Sequence, residues 1–141
     1  NCMVLGGHGD TMVPVSRLAT VGGVPLTSLL SAETIKAIED RTRFGGGEIV
    51  KLFGKGSAFY APAQSAVEMV ESFIRDQKRV IPCAALCDGE FGVNGYFIGV
   101  PTVIGCSGVE KVLTFDLNKE EQEALNNTLT EVEKTVQETG L

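Results

Sequence analysis

Apolar and polar positions along the chain follow a helical period in some stretches and form short strand-like runs in others. Ser31 is a candidate N-cap, and Ile35, Ile38 and Thr42 then fall on one face of a predicted helix. The glycines at 45–47 would ordinarily end this helix, because glycine costs about 1 kcal/mol relative to alanine in a helix interior.

A second helix is predicted for residues 57–76, where apolar and charged side chains fall on separate faces. Its predicted buried face consists of Ala66, Val70, Phe73 and Ile74, and Glu68, Glu71 and Arg75 point outward. Pro62 must lie in or near the first turn, or at a kink, since proline removes a backbone hydrogen bond.

The last helix has the clearest local pattern. Asn118 is its predicted N-cap, and Glu121 three residues later completes a pattern like a capping box. The apolar residues that follow recur at helical spacing: Leu125, Leu129, Val132 and Val136. We interpret this helix as a packing element without chemistry of its own.

Strands are predicted where apolar runs lie between turn residues. The run 1–5 and the run 79–87 each predict one strand, and 109–115 predicts another. The segment 91–104 predicts a hairpin or two short strands, with turns near 93–95 and 99–101.

Composition excludes several classes of function. The chain has 141 residues, enough for one domain with a core, and a net charge of −6, which argues against a nucleic-acid-binding surface. No apolar run reaches the roughly 20 residues that a membrane-spanning helix requires. We therefore predict neither a nucleic-acid nor a membrane partner.

The four cysteines give no pattern of a metal site. No Cys-x-x-Cys pair occurs, and the single histidine cannot complete a Cys/His zinc site, so no metal is predicted. We interpret all four as reduced structural thiols, which indicates a cytoplasmic protein. They are Cys2, Cys83, Cys87 and Cys106.

Candidate chemistry is concentrated in the loop after the first apolar run. His8, the only histidine, lies in the string Gly6-Gly7-His8-Gly9-Asp10. Histidine is the usual proton carrier at neutral pH, and neighbouring glycines permit tight turns and close approach of a ligand. The alternative is a loop histidine without a role.

The string from Gly6 through Pro14 resembles the active-site segment of the lactate/malate dehydrogenase family, in particular malate dehydrogenases of the lactate-dehydrogenase-like type. Further segments match in the same order: Arg41–Val50, Gly56–Pro62, Gly99–Pro101 and Gly108–Lys111. The resemblance implies an α+β fold in which antiparallel strands pack with long helices, and it implies that the first predicted helix continues through the glycines to about Phe53. Residues 1–141 would then form the C-terminal substrate-binding and catalytic domain.

The resemblance also implies roles for individual residues. His8 would be the catalytic acid/base for malate and oxaloacetate. Ser57 and Ala58 would contact the substrate, where small side chains favour malate over lactate, although Ser57 alternatively only caps a helix. Met12 and Pro62 would lie beside the nicotinamide of the cofactor, NAD. The family pattern does not make Arg17, Arg41 or Arg43 substrate ligands, so they are expected to be surface or subunit-contact charges.

The remaining parts of such a site are expected outside this chain. Gly54-Lys55-Gly56 is followed by Phe59 where a dinucleotide loop requires its third glycine. The family supplies the carboxylate partner of the histidine and the substrate-binding arginines from upstream segments, in an N-terminal Rossmann domain. We therefore expect a fragment of a two-domain enzyme that is inactive alone and forms a homo-dimer or homo-tetramer when intact.

Two alternatives remain open. The chain could be the same domain of a lactate or other 2-hydroxyacid dehydrogenase, which would differ mainly in upstream specificity residues. It could also be a non-catalytic module that only associates with other proteins.

Overall fold

The computed structural model describes residues 2–140 as seven strands and three α-helices, with short 3-10 turns between them. The strands are β1 (Met3–Leu5), β2 (Val13–Val15), β3 (Thr20–Val21), β4 (Val24–Pro25), β5 (Arg79–Asp88), β6 (Asn94–Gly105) and β7 (Gly108–Val112). The helices are α1 (Ala32–Phe53), α2 (Tyr60–Ile74) and α3 (Lys119–Thr139). Every strand pairing within residues 2–140 is antiparallel, which makes the fold α+β.

The main sheet has the order β5-β6-β7. The predicted strand at 79–87 is confirmed as β5. The prediction of a hairpin or two short strands at 91–104 is wrong, because β6 is one strand that runs unbroken through Gly99 and Pro101. Pro101 lies opposite Pro82 of β5, so both residues without an N–H group occupy the same rung of the ladder. The proline therefore costs the sheet little pairing, and the strand continues.

The smaller hairpin of β1 and β2 carries the candidate loop. The predicted strand began at Asn1, which lies outside the described residues, and β1 begins at Met3. Leu5 at the end of β1 is buried with the whole of β2. The buried core lies among this hairpin, the main sheet and α3, and contains Leu5, Val13, Val15, Ala85, Cys87, Val93, Ile98, Val100 and Leu125.

Helix α1 runs through the three glycines, as the family resemblance implied. Ser31 is confirmed as its N-cap, since its side chain accepts a hydrogen bond from the N–H of Thr34. A two-pronged ion pair between Arg41 and Glu48 spans the glycine segment, with N–O distances of 2.9 and 3.0 Å. Ile35 is buried but Ile38 is exposed, so only part of the predicted face packs against the described residues.

Helix α2 is shorter than predicted, and its orientation corrects the sequence interpretation. Pro62 lies in the first turn of α2, which was one of its two predicted positions. The predicted inner face is exposed, most clearly at Ile74, which is 72% accessible. Ser72 is instead the buried residue of the helix, because its hydroxyl donates to the carbonyl oxygen of Ile104 in β6 at 2.7 Å. The apolar side of α2 therefore faces away from the sheet.

Helix α3 matches its predicted start and cap. The side chain of Asn118 accepts from Glu121 N–H at 2.8 Å, and Glu121 accepts from Asn118 N–H at 2.9 Å. Leu125 is fully buried, which anchors the helix in the core.

The four cysteines are free thiols. Cys87 is buried, and burial raises its pKa. Cys83 is half-buried, whereas Cys2 and Cys106 are exposed. No helix of residues 2–140 is both long and apolar enough to cross a lipid bilayer.

Candidate functional site

His8 is exposed in the loop that connects β1 to β2. The loop begins where Gly6 leaves β1 with a φ of 93°, a backbone conformation that glycine adopts without strain. Gly6 and Gly99 of β6 form a two-way backbone bridge, with N–O distances of 2.9 and 2.7 Å. The start of the loop is thereby attached to the central strand of the main sheet.

The other side of the loop is attached to α3 through Thr128. The backbone N–H of Gly7 donates to Thr128 Oγ1 at 2.9 Å, and the hydroxyl groups of Thr11 and Thr128 share a hydrogen bond of 3.0 Å. Thr128 is completely buried. A further bond from Met12 N–H to the carbonyl oxygen of Gly9, at 3.0 Å, closes the loop on itself.

The sequence interpretation of α3 as packing alone missed Thr128. One signal was available, because Thr128 stands in the apolar stripe, three residues after Leu125 and four before Val132. Residues at these spacings share one helix face. A hydroxyl on a buried face requires a hydrogen-bond partner, and here the partners belong to the histidine loop.

Helix α1 contacts the end of the same loop. Arg43 Nε donates to the carbonyl oxygen of Met12 at 3.3 Å, and its NH1 group lies 2.9 Å from Asp40 Oδ1. Arg17 instead forms a two-pronged ion pair with Glu121, at 2.7 and 3.0 Å, which raises the pKa of Arg17. Arg41 forms its ion pair with Glu48, so all three arginines that the family pattern left as surface charges have an acidic partner within the chain.

Two adjoining cavities share His8 in their walls. The first, of about 500 Å³, lies over β1, β5 and β6 and is mostly apolar. It is lined by His8, Met12, Val4, Pro82, Cys83 and Phe97, among others. The second, of about 610 Å³, lies between the loop and α3 and is more polar, with Asp10, Thr11, Thr128 and Glu131 in its walls. The side chain of His8 is therefore accessible from both cavities.

The structure brings together two of the five candidate site residues, His8 and Met12. Ser57, Ala58 and Pro62 lie in the connection from α1 to α2 and in the first turn of α2, and they line neither cavity. Among the described residues, these three therefore share neither cavity wall with His8 and Met12. The alternative that Ser57 caps the helix is wrong, since the N-cap position is Phe59 and no side chain caps it.

One cluster among residues 2–140 has the spacing of metal ligands. Single ligand atoms of Asp76, Cys106 and Glu110 lie within 4.8 Å of one another on the surface. The ammonium group of Lys78 already supplies positive charge there, at 2.9 Å from Glu110 Oε2 and 3.7 Å from Asp76 Oδ1. The backbone N–H of Cys106 donates to Asp76, which lowers the pKa of that carboxyl. The ion pairs with Lys78 are sufficient to explain why these acidic groups lie close together on the surface.

Residues 1–140 match the sequence profile of the lactate/malate dehydrogenase family, alpha/beta C-terminal domain. Malate dehydrogenase 1 of Anaeromyxobacter dehalogenans (strain 2CP-C) is 58% identical over 139 residues, which cover 99% of this chain and 45% of that protein. The malate dehydrogenase of Myxococcus xanthus is 54% identical over 134 residues, covering 95% and 43%. The chain thus spans less than half the length of these relatives.

Solved structures give the same relationship. The malate dehydrogenase of Salinibacter ruber superimposes with a TM-score of 0.95 at 45% identity, covering 99% of this chain and 46% of that one. The lactate dehydrogenase of Eimeria maxima with NADH and oxamate has a TM-score of 0.94 at 38% identity, covering 99% and 44%. The backbone fold therefore does not separate the two kinds of enzyme.

Proposed function

Because the chain belongs to the lactate/malate dehydrogenase family through its alpha/beta C-terminal domain, we propose that residues 1–141 form the substrate-binding and catalytic half of an NAD-dependent malate dehydrogenase. One observation carries the proposal: the only histidine is exposed on a loop with attachments on both sides, in the walls of two cavities. Malate dehydrogenases with identities of 51–58% support malate as the substrate.

In the proposed reaction, His8 moves the proton of the substrate hydroxyl. A neutral imidazole accepts that proton as malate becomes oxaloacetate, and the carbon–oxygen bond becomes a double bond. In the reverse direction, the protonated ring donates to the forming hydroxyl and stabilises negative charge on the oxygen. NAD, when bound, supplies the hydride acceptor.

The first cavity fits the nicotinamide end of the cofactor. Its walls are mostly apolar, which suits the face of a flat ring, and Met12 lies there beside His8. Pro62, implied by the family resemblance, would approach the ring from α2. None of the described residues that line this cavity is Lys or Arg, so the cofactor phosphates require groups outside it.

We assign substrate choice to Ser57 and Ala58 together with residues of the proposed N-terminal domain. Both side chains are small, and the family pattern places them where lactate dehydrogenases carry larger groups. They line neither cavity that His8 lines, so their contact with the substrate rests on the family pattern alone. The arginines that would bind its carboxylates belong to the N-terminal nucleotide-binding domain.

Exposed apolar side chains of α1 and α2 support assembly with that domain and with further copies of the chain. Leu52 and Tyr60, at the junction of α1 and α2, are 82% and 76% exposed, and Val70, Phe73 and Ile74 of α2 are also exposed. An apolar surface of this kind marks an interaction site rather than a solvent face. We infer a homo-dimer or homo-tetramer of two-domain subunits, in the cytoplasm, where free thiols persist.

The decisive experiment compares oxaloacetate with pyruvate as substrates of the two-domain protein, with NADH, for the wild type and for His8→Asn. We expect strong preference for oxaloacetate and a loss of about 10²–10⁴-fold in kcat for the variant, the range that general acid–base catalysis contributes. Thr130→Val, on the exposed side of α3, is the control and should retain full activity. Preference for pyruvate would identify a lactate dehydrogenase, and full activity of His8→Asn would refute the role of the histidine.

A second assay compares residues 1–141 alone with the two-domain protein. Residues 1–141 alone should show no turnover, because the proposed N-terminal domain supplies the substrate-binding arginines and the phosphate-binding loop. Activity of the isolated chain at the rate of the two-domain protein would contradict the proposal, and association without turnover in any assembly would favour a non-catalytic module.

A further inference from the structure

Thr128 is the point where helix α3 meets the histidine loop. Its Oγ1 atom accepts from Gly7 N–H at 2.9 Å and lies 3.0 Å from Thr11 Oγ1. A threonine hydroxyl offers one donor and two acceptor positions, so one buried oxygen serves both partners. These partners lie immediately before His8 and three residues after it.

The methyl group of Thr128 adds a steric constraint. A Cβ atom built on Gly6 would clash with Thr128 Cγ2. The methyl group of Thr128 therefore fills the space beside Gly6, and its hydroxyl accepts a hydrogen bond from Gly7. Gly6 in turn is bonded to Gly99 of β6.

The position of His8 is consequently defined from two elements, the central strand of the sheet and the buried face of α3. The attachment to α3 depends on one side-chain oxygen, whereas the attachment to β6 uses only backbone atoms. A side-chain substitution can therefore remove one attachment and leave the other intact.

We propose that Thr128 is a positioning residue for His8, acting through the hydroxyl that joins Gly7 and Thr11 to α3. This inference rests on the proposed role of His8. Proton transfer requires the ring nitrogen within about 2.6–3.2 Å of the substrate oxygen, and small displacements of a catalytic group slow the reaction steeply.

The test uses the two-domain protein with Thr128→Val, which replaces the hydroxyl with a methyl group of similar size. Thr128→Ser keeps the hydroxyl, and Thr130→Val removes an exposed hydroxyl that donates within the helix to Asn126. Malate oxidation is measured at saturating NAD, with ordinary malate and with malate deuterated at the carbon that carries the hydroxyl. Hydrogen exchange of residues 6–12 is followed by mass spectrometry.

We expect Thr128→Val to lower kcat at least tenfold, with a change in KM for NAD below threefold, and to raise the isotope effect on kcat as the chemical step becomes limiting. Exchange in the loop should be at least tenfold faster, because Gly7 N–H loses its acceptor. Thr128→Ser should lie within threefold of the wild type in every measurement, and Thr130→Val should be indistinguishable from it.

Several results would overturn the inference. A drop in activity that follows the loss of folded protein, with unchanged isotope effect and loop exchange, would show a merely structural role. Failure of a folded Thr128→Ser variant to restore the rate would exclude the hydroxyl as the cause. An inactive His8→Asn variant beside an unaffected Thr128→Val variant overturns only the role of Thr128, whereas a fully active His8→Asn variant overturns the proposed function itself.

Discussion

Gly6 and Gly99 exchange two backbone hydrogen bonds, from Gly6 N to Gly99 O at 2.9 Å and from Gly99 N to Gly6 O at 2.7 Å. The pair joins the end of β1 to the centre of β6 and sets where the histidine loop departs. Close approach is possible because a Cβ atom on Gly99 would lie only 2.8 Å from Gly6 O. The spacing of these two backbones thus depends on glycine.

Gly99→Ala should destabilise the chain by about 1–3 kcal/mol, the usual cost of forcing extra atoms into a packed region. Gly46→Ala is the opposite case, because a Cβ atom there meets nothing within 4 Å among the described residues, and alanine favours the helix by up to about 1 kcal/mol. Thermal unfolding by circular dichroism should show a lower Tm for the first variant and an equal or higher Tm for the second. Equal Tm values for Gly99→Ala and the wild type would contradict the steric argument.

Ser72→Ala should also lower stability, by about 1–3 kcal/mol, because it leaves buried polar groups without partners. The hydroxyl donates to Ile104 O at 2.7 Å and accepts from Arg79 N–H at 3.2 Å, so it joins α2 to the sheet at two points. Ser65→Ala, on the exposed side of the same helix, provides the control and should change stability by less than about 0.5 kcal/mol. Chemical denaturation of both variants checks the difference, and similar values for the two would count against it.

Asn118→Ala should cost about 0.5–2 kcal/mol through loss of the N-cap of α3. The substitution removes the acceptor for Glu121 N–H and loosens the start of the helix that carries Thr128. Asn118→Asp keeps an acceptor oxygen at the same place and should retain most of the stability. The urea midpoints of both variants provide the measurement, and a full loss in Asn118→Asp would show that capping is not the cause.

The contribution of Asp76 to stability should depend on pH in the acidic range. Hydrogen bonds from Cys106 and the positive charge of Lys78 lower the pKa of Asp76 in the folded chain. The unfolded chain therefore binds this proton more readily, so the contribution is complete above the ordinary aspartate value near 4 and is lost as the pH falls below it. The difference in unfolding free energy between the wild type and Asp76→Asn should be constant from pH 7 to 5 and shrink towards pH 3. A difference that stays constant down to pH 3 would contradict this assignment.

Local signals in the sequence determined where α1 and α3 begin, because a cap involves residues only three positions apart, whereas α2 has no side-chain cap and begins later than predicted. Ser31 and Asn118 each satisfy a backbone N–H within their own helix, so no distant contact is needed to place them. The loop around His8 was recognisable for a similar reason, since glycines and a single histidine stand together in the chain.

Tertiary structure alone decided features that depend on distant partners. The strand β6 continues through Gly99 and Pro101 because β5 and the Gly6 bridge pair with it there, and neither partner is adjacent in sequence. Helix α2 buries Ser72 rather than its apolar face because the sheet offers a carbonyl oxygen at that place. Thr128 finds its hydrogen-bond partner Gly7 121 positions away, and a contact across that separation exists only after the chain has folded.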